Sequence, residues 1–160
     1  MTVELRPLAP ADGESFMAFV RGLSMQSRLH RFLAPLRELA PAVADALTHP
    51  DQRRHVALVA TEDGRIVGEG RYVTFEDGTR AEFAIAVTDE RQRQGIGARL
   101  MRALIGAARR AGLKTLQGEV LRTNVAMLRF VRHAGFRLQP CCDATLVTAV
   151  HELEPAVHVA

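Results

Sequence analysis

Cysteine, aromatic residues and long hydrophobic runs are all scarce in this sequence. The two cysteines, Cys141 and Cys142, are adjacent, so a disulfide between them would close almost no loop. Neither they nor the six scattered histidines show the ligand spacing of a zinc site. A membrane-spanning helix needs about 18 or more apolar residues in a row, and no such run exists. Met1–Pro10 also lacks the apolar segment of a signal peptide, so we expect a cytoplasmic protein without a metal ion or membrane contact.

Lysine is equally scarce. It occurs once, at Lys114, and arginine supplies nearly all of the positive charge. The net charge is +3, and the arginines are spread along the chain among acidic residues. A nucleic-acid-binding protein usually concentrates its basic residues in one stripe or patch. The distribution therefore argues against nucleic acid as a partner, while a modest basic excess suits an anionic small molecule.

The overall composition, with 48% hydrophobic and 24% charged residues, indicates a globular protein. The length suits a single domain over residues 1–160. Apolar residues at helical spacing predict helices, and apolar runs between Asp-Gly turns predict an antiparallel meander. The predicted class is α+β, with a strand (3–8), helices within 10–47, three strands (55–61, 66–75, 80–87), a long helix (96–111), a strand (116–121), a helix (124–134) and two last strands, the second at 146–150.

The segment Gln92–Gly97 joins a predicted strand to the long helix and contains Gly95 and Gly97. Glycine lets the backbone approach a ligand closely, and the unpaired N–H groups of a helix N-terminus attract phosphate. A P-loop would require a lysine after its last glycine, and a dinucleotide fingerprint would require a small residue where Leu100 stands. The segment therefore predicts a diphosphate site, with an ordinary glycine-containing helix start as the alternative.

Two motifs, in this order, resemble those of the GNAT superfamily of N-acetyltransferases. The first is Gln92–Gly97 after a strand that ends in Val87. The second is a strand, an asparagine that starts a helix, and a Gly-Phe pair at the helix end: Gly118–Leu121, Asn124, and Gly135 with Phe136. The resemblance implies a mostly antiparallel sheet of about seven strands between two layers of helices, a three-layer α/β/α arrangement. It also implies transfer of an acetyl group from acetyl-CoA to an amine.

Further motifs are similar to one subgroup, the bacterial protein lysine acetyltransferases. They are Leu23 and Ser24 with Ser27, Arg31 with Phe32, Pro35 with Leu36, Ala81–Ala84, and Gly118–Leu121. This likeness implies that the acceptor is a lysine of another protein. A small amine or amino acid as acceptor is one alternative, and a non-catalytic module that only binds acyl-CoA is another. The expected assembly is a monomer or a homodimer.

The resemblance also assigns a site for acetyl-CoA. The backbone of Ile85, Ala86 and Val87 would pair with the pantetheine arm as an added strand. N–H groups of the following loop and helix would hold the pyrophosphate. This second group consists of Gln92, Arg93, Gln94, Gly95, Ile96, Gly97 and Ala98.

At four positions of this site, the residue either has a second possible role or differs from the family pattern. Arg99 would reach a phosphate, unless it is only a solvated helix residue. Asn124 would hydrogen-bond pantetheine, cap its helix, or do both. Arg93 stands where glycine is common. Val131 stands where many members have a tyrosine that protonates the leaving thiolate, but a thiol pKa of about 8.5 lets the thiolate leave without it.

Two glutamates are the candidate catalytic residues. A lysine amine has a pKa of about 10.4 and arrives protonated, so a base must remove a proton before it attacks the thioester. Glu82 interrupts an apolar strand and matches the catalytic glutamate of the subgroup; the alternative is a solvent-facing strand residue. Glu119 lies on the neighbouring strand and is the second candidate, with a structural or ion-pairing role as its alternative.

Overall fold

The structure, a computed structural model, describes residues 2–153. Its strands are β1 (Glu4–Pro7), β2 (His55–Glu62), β3 (Arg65–Thr74), β4 (Arg80–Val87), β5 (Thr115–Leu121), β6 (Arg137–Pro140) and β7 (Leu146–Glu152). Its helices are α1 (Gly13–Gly22), α2 (Met25–Phe32), α3 (Pro41–Thr48), α4 (Ile96–Arg110) and α5 (Val125–His133). None of the helices in the described part of the chain is long and apolar enough to cross a membrane.

The strands form one sheet in the order β1-β2-β3-β4-β5-β7-β6. The first four strands are antiparallel neighbours, as the Asp-Gly turns of the meander predict. β5 lies parallel to β4, and β7 inserts antiparallel between β5 and β6. The predicted α+β class, with a mostly antiparallel sheet of seven strands, is confirmed.

Helices cover both faces of the sheet. The apolar residues of the long helix α4 recur every three to four positions, so they share one side of the helix. This side carries Ile96, Leu100, Leu104 and Ala108 and is buried against β3 and β4. Val131 of α5 belongs to the same core. On the opposite face, a second core contains the apolar residues of α1, namely Phe16, Phe19 and Val20. The result is the expected three-layer arrangement.

The start of α1 differs from its prediction. The sequence predicts a helix that opens at Pro10, but Pro10–Asp12 forms a separate 3₁₀ turn and α1 begins at Gly13. The Asp12 carboxylate accepts hydrogen bonds from the Ala9 amide at 2.8 Å and from both terminal nitrogens of the Arg6 guanidinium at 2.7 Å. These bonds fix the turn against β1 and separate it from the helix.

Candidate functional site

The sheet opens between its two parallel strands. β4 and β5 pair only from Arg80 with Thr115 to Glu82 with Gln117. Beyond this point β5 continues to pair with β7, while residues 83–87 of β4 keep β3 as their neighbour. One backbone edge of β4 is therefore free where it faces the gap, and an extended ligand can add to it as a strand.

A close approach between the two strands occurs at the start of the gap. The Phe83 ring of β4 lies against Gly118 of β5, and a Cβ atom at Gly118 would be 2.6 Å from Phe83 Cε1. Any other residue at position 118 would displace this ring, which also packs edge-on against Phe136 at 5.1 Å between ring centroids. The glycine of the second sequence motif is thus required by packing.

A cavity of about 560 Å³, here the larger cavity, lies at this gap between α2, the start of α4 and the start of α5. All but three residues of the predicted cofactor set line it, including Ile85, Ala86 and Val87 on the free edge of β4. The exceptions are Gln94, Ile96 and Arg99. The fold therefore brings most of the predicted set together around one space, and the roles of these residues stay predictions.

The loop before α4 presents unpaired backbone N–H groups at the larger cavity. Gly95 starts the helix with a φ of +87°, and no side chain caps this end. The amide of Arg99 donates to the Gly95 carbonyl at 3.1 Å; within residues 2–153, no backbone acceptor is found for the amides of residues 93–98. These free donors and the helix dipole suit an anion. Arg93 has a φ of +63°, a conformation that glycine adopts without strain, so the glycine of the family pattern would also fit at this position.

Arg99 and Asn124 occupy different environments. The Arg99 guanidinium donates to the Val3 carbonyl at 2.9 Å, and this side chain lies outside the larger cavity. Asn124 is buried, and its Oδ1 caps α5 by accepting from the Met127 amide at 3.2 Å. It also lines the larger cavity, so the cap and a hydrogen bond to a ligand are compatible at this position.

Asp89, which the sequence does not single out, ties α2 to the loop. Its carboxylate accepts from the Ser24 amide at 3.1 Å, the Ser24 hydroxyl at 2.8 Å and the Ser27 hydroxyl at 3.1 Å. Gln92 adds bonds from its side-chain amide to Ser27 Oγ at 3.3 Å and to the Val87 carbonyl at 3.0 Å. Burial alone would raise the pKa of Asp89, but the hydrogen bonds from the two serines lower it below its ordinary value. The serine motif therefore fixes one wall of the larger cavity.

We expect an Asp89→Ala variant to bind acetyl-CoA, the ligand that the sequence motifs predict, more weakly because α2 and the loop lose their common anchor. A hydrogen bond to a charged group contributes about 1.5 kcal/mol or more, so KM for acetyl-CoA should rise about tenfold. Steady-state kinetics with varied acetyl-CoA would measure it. Asp143→Ala is the control, because Asp143 accepts similar bonds from Thr145 but lines neither cavity described here. Equal KM values for both variants would contradict the prediction.

A second cavity of about 310 Å³, here the smaller cavity, adjoins the first and contains both predicted catalytic residues, Glu82 and Glu119. Burial, and secondly the negative charge of Glu119, raise the pKa of Glu82 above its ordinary value. No arginine, lysine or histidine of residues 2–153 forms an ion pair with either carboxylate. Four residues line both cavities and so mark where they meet: His30, Ile85, Asn124 and Met127.

A buried ion-pair cluster, unpredicted from the sequence, supports the smaller cavity. Glu69 of β3 is 1% exposed and binds the Arg31 guanidinium of α2 and, at 2.8 Å, Nε of Arg71. Arg71 also donates to the Leu47 carbonyl of α3 at 2.9 Å. Burial by itself would raise the pKa of Glu69, but the charges and hydrogen bonds of the two arginines lower it below its ordinary value. The cluster joins α2 and α3 to the sheet.

Comparison with protein-family models matches residues 23–136 to the acetyltransferase (GNAT) family. The matched segment includes α2, the gap between β4 and β5, the loop before α4, and α5. It therefore contains every residue that lines the two cavities.

Individual proteins agree with this match. The chain is 36% identical over 138 residues to an acetyltransferase of Pseudomonas aeruginosa, covering 84% of this chain and 74% of that one. It is 32% identical over 134 residues to the acetyltransferase Pat of Mycolicibacterium smegmatis, covering 82% of this chain but only 40% of Pat. The solved GNAT domain of S. lividans PAT matches with a TM-score of 0.90 at 27% identity, covering 96% of this chain and 92% of that one.

Proposed function

This chain belongs to the acetyltransferase (GNAT) family, and from that membership we propose that it transfers the acetyl group of acetyl-CoA to the side-chain amine of a lysine in another protein. Acetyl-CoA is the acyl donor of this family. The acceptor is the new element of the proposal, and the chemistry of the smaller cavity supports it. A small amine remains the second candidate acceptor.

The larger cavity has the chemistry that acetyl-CoA requires. Its loop offers free backbone amides to the pyrophosphate, and the free edge of β4 offers backbone groups to the pantetheine amides. Arg93 lines the same cavity and adds a positive charge for a phosphate. In this arrangement the thioester lies toward the smaller cavity, where the two spaces meet.

The observation that carries the acceptor proposal is the pair of carboxylates in a partly apolar cavity. Glu82 and Glu119 offer negative charge to an ammonium group, and Leu33, Leu47 and Val73 offer apolar contact to a methylene stem. A lysine side chain combines an apolar stem and a charged head in this way. Val73 is 47% exposed, so the cavity opens at the protein surface, where a residue of another protein can enter.

Glu82 acts as the general base in the proposed reaction. It removes one proton from the lysine ammonium, and the free amine attacks the thioester carbonyl carbon. A backbone N–H on the free edge of β4 would stabilise the resulting oxyanion. The carbon–nitrogen bond forms, the carbon–sulfur bond breaks, and the electron pair of the broken bond leaves with the sulfur of CoA.

Incubation with radiolabelled acetyl-CoA and a panel of acceptors tests the proposal. The panel contains lysine-rich proteins, lysine peptides, free amino acids and polyamines. We expect label on lysine side chains of proteins or peptides. A Lys114→Arg variant removes the single lysine of the chain, so acetylation of its own lysine cannot be mistaken for transfer to a partner. Label on small amines alone would favour the second candidate, and acetyl-CoA binding without any transfer would indicate a non-catalytic module.

A further inference from the structure

His30 of α2 lies where the two cavities meet. Of the four residues that line both cavities, Ile85 and Met127 are apolar and Asn124 is an amide, so His30 alone can take up or release a proton. Its side chain is half-buried. Among residues 2–153 the imidazole has no hydrogen-bond or ion-pair partner, which leaves both ring nitrogens available to the reaction.

The proposed reaction releases two protons from the acceptor. The lysine ammonium loses the first before it attacks, and the nitrogen loses the second when the neutral amide forms. Glu82 accounts for the first proton. The second proton can end on the leaving thiolate of CoA. Many family members deliver a proton to this thiolate from a tyrosine, but here the same position is Val131, which cannot donate one. Val131 is fully buried in the core and lines neither cavity.

We propose that His30 carries this second proton from the acceptor nitrogen to the sulfur of CoA. One ring nitrogen accepts the proton from the tetrahedral intermediate, forming an imidazolium, and the ring then gives a proton to the thiolate as the carbon–sulfur bond breaks. The products are the neutral amide and the thiol of CoA, and His30 returns to its starting state. The inference rests on the proposed acetyl transfer and adds a catalytic residue to it.

The surroundings of His30 favour its starting state. Burial lowers the pKa of His30 below its ordinary value of 6.5, which favours the neutral ring, with one lone pair and one N–H group. Because the transient imidazolium is a stronger acid than the thiol of CoA, transfer to the sulfur is favourable. The charged residues of the two cavities around it are Arg31, Arg71, Glu82, Glu119, Asp89, Arg91 and Arg93.

A His30→Gln variant tests the assignment, because glutamine keeps a polar side chain but cannot carry a proton. We expect kcat to fall about 10- to 100-fold, at the low end of general acid–base effects because a thiolate leaves readily. The dissociation constant of CoA should stay within about twofold of wild type, since binding at equilibrium does not depend on proton transfer. His133→Gln on α5 is the matched control; His133 is exposed and lines neither cavity.

Hydroxylamine as acceptor separates the two proton transfers. It is largely unprotonated at neutral pH, so its enzyme-dependent acetylation, measured above its spontaneous reaction with the thioester, should not need Glu82 but should still require His30. Added imidazole should partly restore the turnover of a His30→Ala variant. A His30→Gln enzyme with kcat within twofold of wild type would overturn the proposal, and so would a loss confined to KM or CoA affinity. If the wild type acetylates hydroxylamine but no lysine, the lysine acceptor fails while the role of His30 can still be measured.

Discussion

A Glu82→Gln variant should keep the affinity of the protein for CoA and lose nearly all of the proposed acetyl transfer to lysine. Glutamine has the shape of glutamate but cannot accept a proton, and loss of a general base typically lowers the rate by about 10²–10⁴-fold. CoA binding should persist because Glu82 lines only the smaller cavity. Calorimetric titration with CoA and steady-state kinetics with a lysine peptide would measure the two effects separately.

The pH dependence of the wild type follows from the same residue. As the proposed base, Glu82 must be ionised to accept a proton, and its pKa is raised above the ordinary value of 4.5. The value of kcat/KM should therefore fall as the pH drops through this raised pKa. Burial is the larger cause of the raised pKa, and the charge of Glu119 is the smaller one. A Glu119→Gln variant should therefore lower the pKa of Glu82, and with it the pH at which kcat/KM falls, by only part of the total shift.

Glu76→Gln provides the matched control, because Glu76 lies exposed in the turn between β3 and β4 and lines neither cavity. Its rate and pH profile should equal those of the wild type. If Glu82→Gln acetylated lysine at the normal rate across the pH range, Glu82 would not be the base. A fall in CoA affinity as large as the fall in rate would instead indicate that the substitution disturbs the site as a whole.

Helices and strands were predictable from the sequence because their apolar periodicity is strong. The helical spacing from Ile96 onward predicts α4, and Asp63-Gly64 and Asp77-Gly78 predict the turns of the meander. Order along the chain does not reveal how the strands after the meander pair, however. The insertion of β7 between β5 and β6 depends on contacts between distant segments, and such contacts leave no local pattern.

The candidate site was predictable where a motif describes a backbone shape. Gly95 marks the positive φ at the start of α4, and Asn124 marks the cap of α5. The side chain of Arg99 was less predictable, since its partner Val3 lies 96 residues away. Glu69 and Arg71 carry a local signal that is easily missed: two charged residues alternate with Gly68 and Gly70 in the middle of a mostly buried strand. Their partner Arg31 lies on α2, too far away in sequence for periodicity to connect them.

This buried cluster leads to the largest expected effect on stability. A Glu69→Ala variant would leave Arg31 and Arg71, with side chains 8% and 4% exposed, without their shared carboxylate. Removal of one partner from a buried ion pair costs about 3–5 kcal/mol, because the remaining charge stays buried and unpaired. The total stability of a domain is about 5–15 kcal/mol, so the variant should unfold at a much lower urea concentration than the wild type.

The same contribution should depend on pH. The pKa of Glu69 is lowered in the folded state, so its ion pairs stabilise the fold fully above the pKa that the residue has when unfolded. This stabilisation is lost as the pH falls through the folded-state pKa. The difference in unfolding free energy between the wild type and a Glu69→Gln variant should therefore narrow at acidic pH. Urea titrations at neutral and acidic pH would measure it.

Glu152→Ala supplies the comparison that separates burial from charge. Glu152 pairs with Arg137 at 3.0 Å, but both side chains are more than half exposed, and such pairs contribute about 0–1 kcal/mol. If the Glu69→Ala variant were as stable as the Glu152→Ala variant, the predicted contribution of the buried cluster to stability would be wrong. If the expected loss is found, the cluster fixes α2, and with it His30, against the sheet. Stability of the fold and alignment of the proposed proton carrier would then depend on the same three side chains.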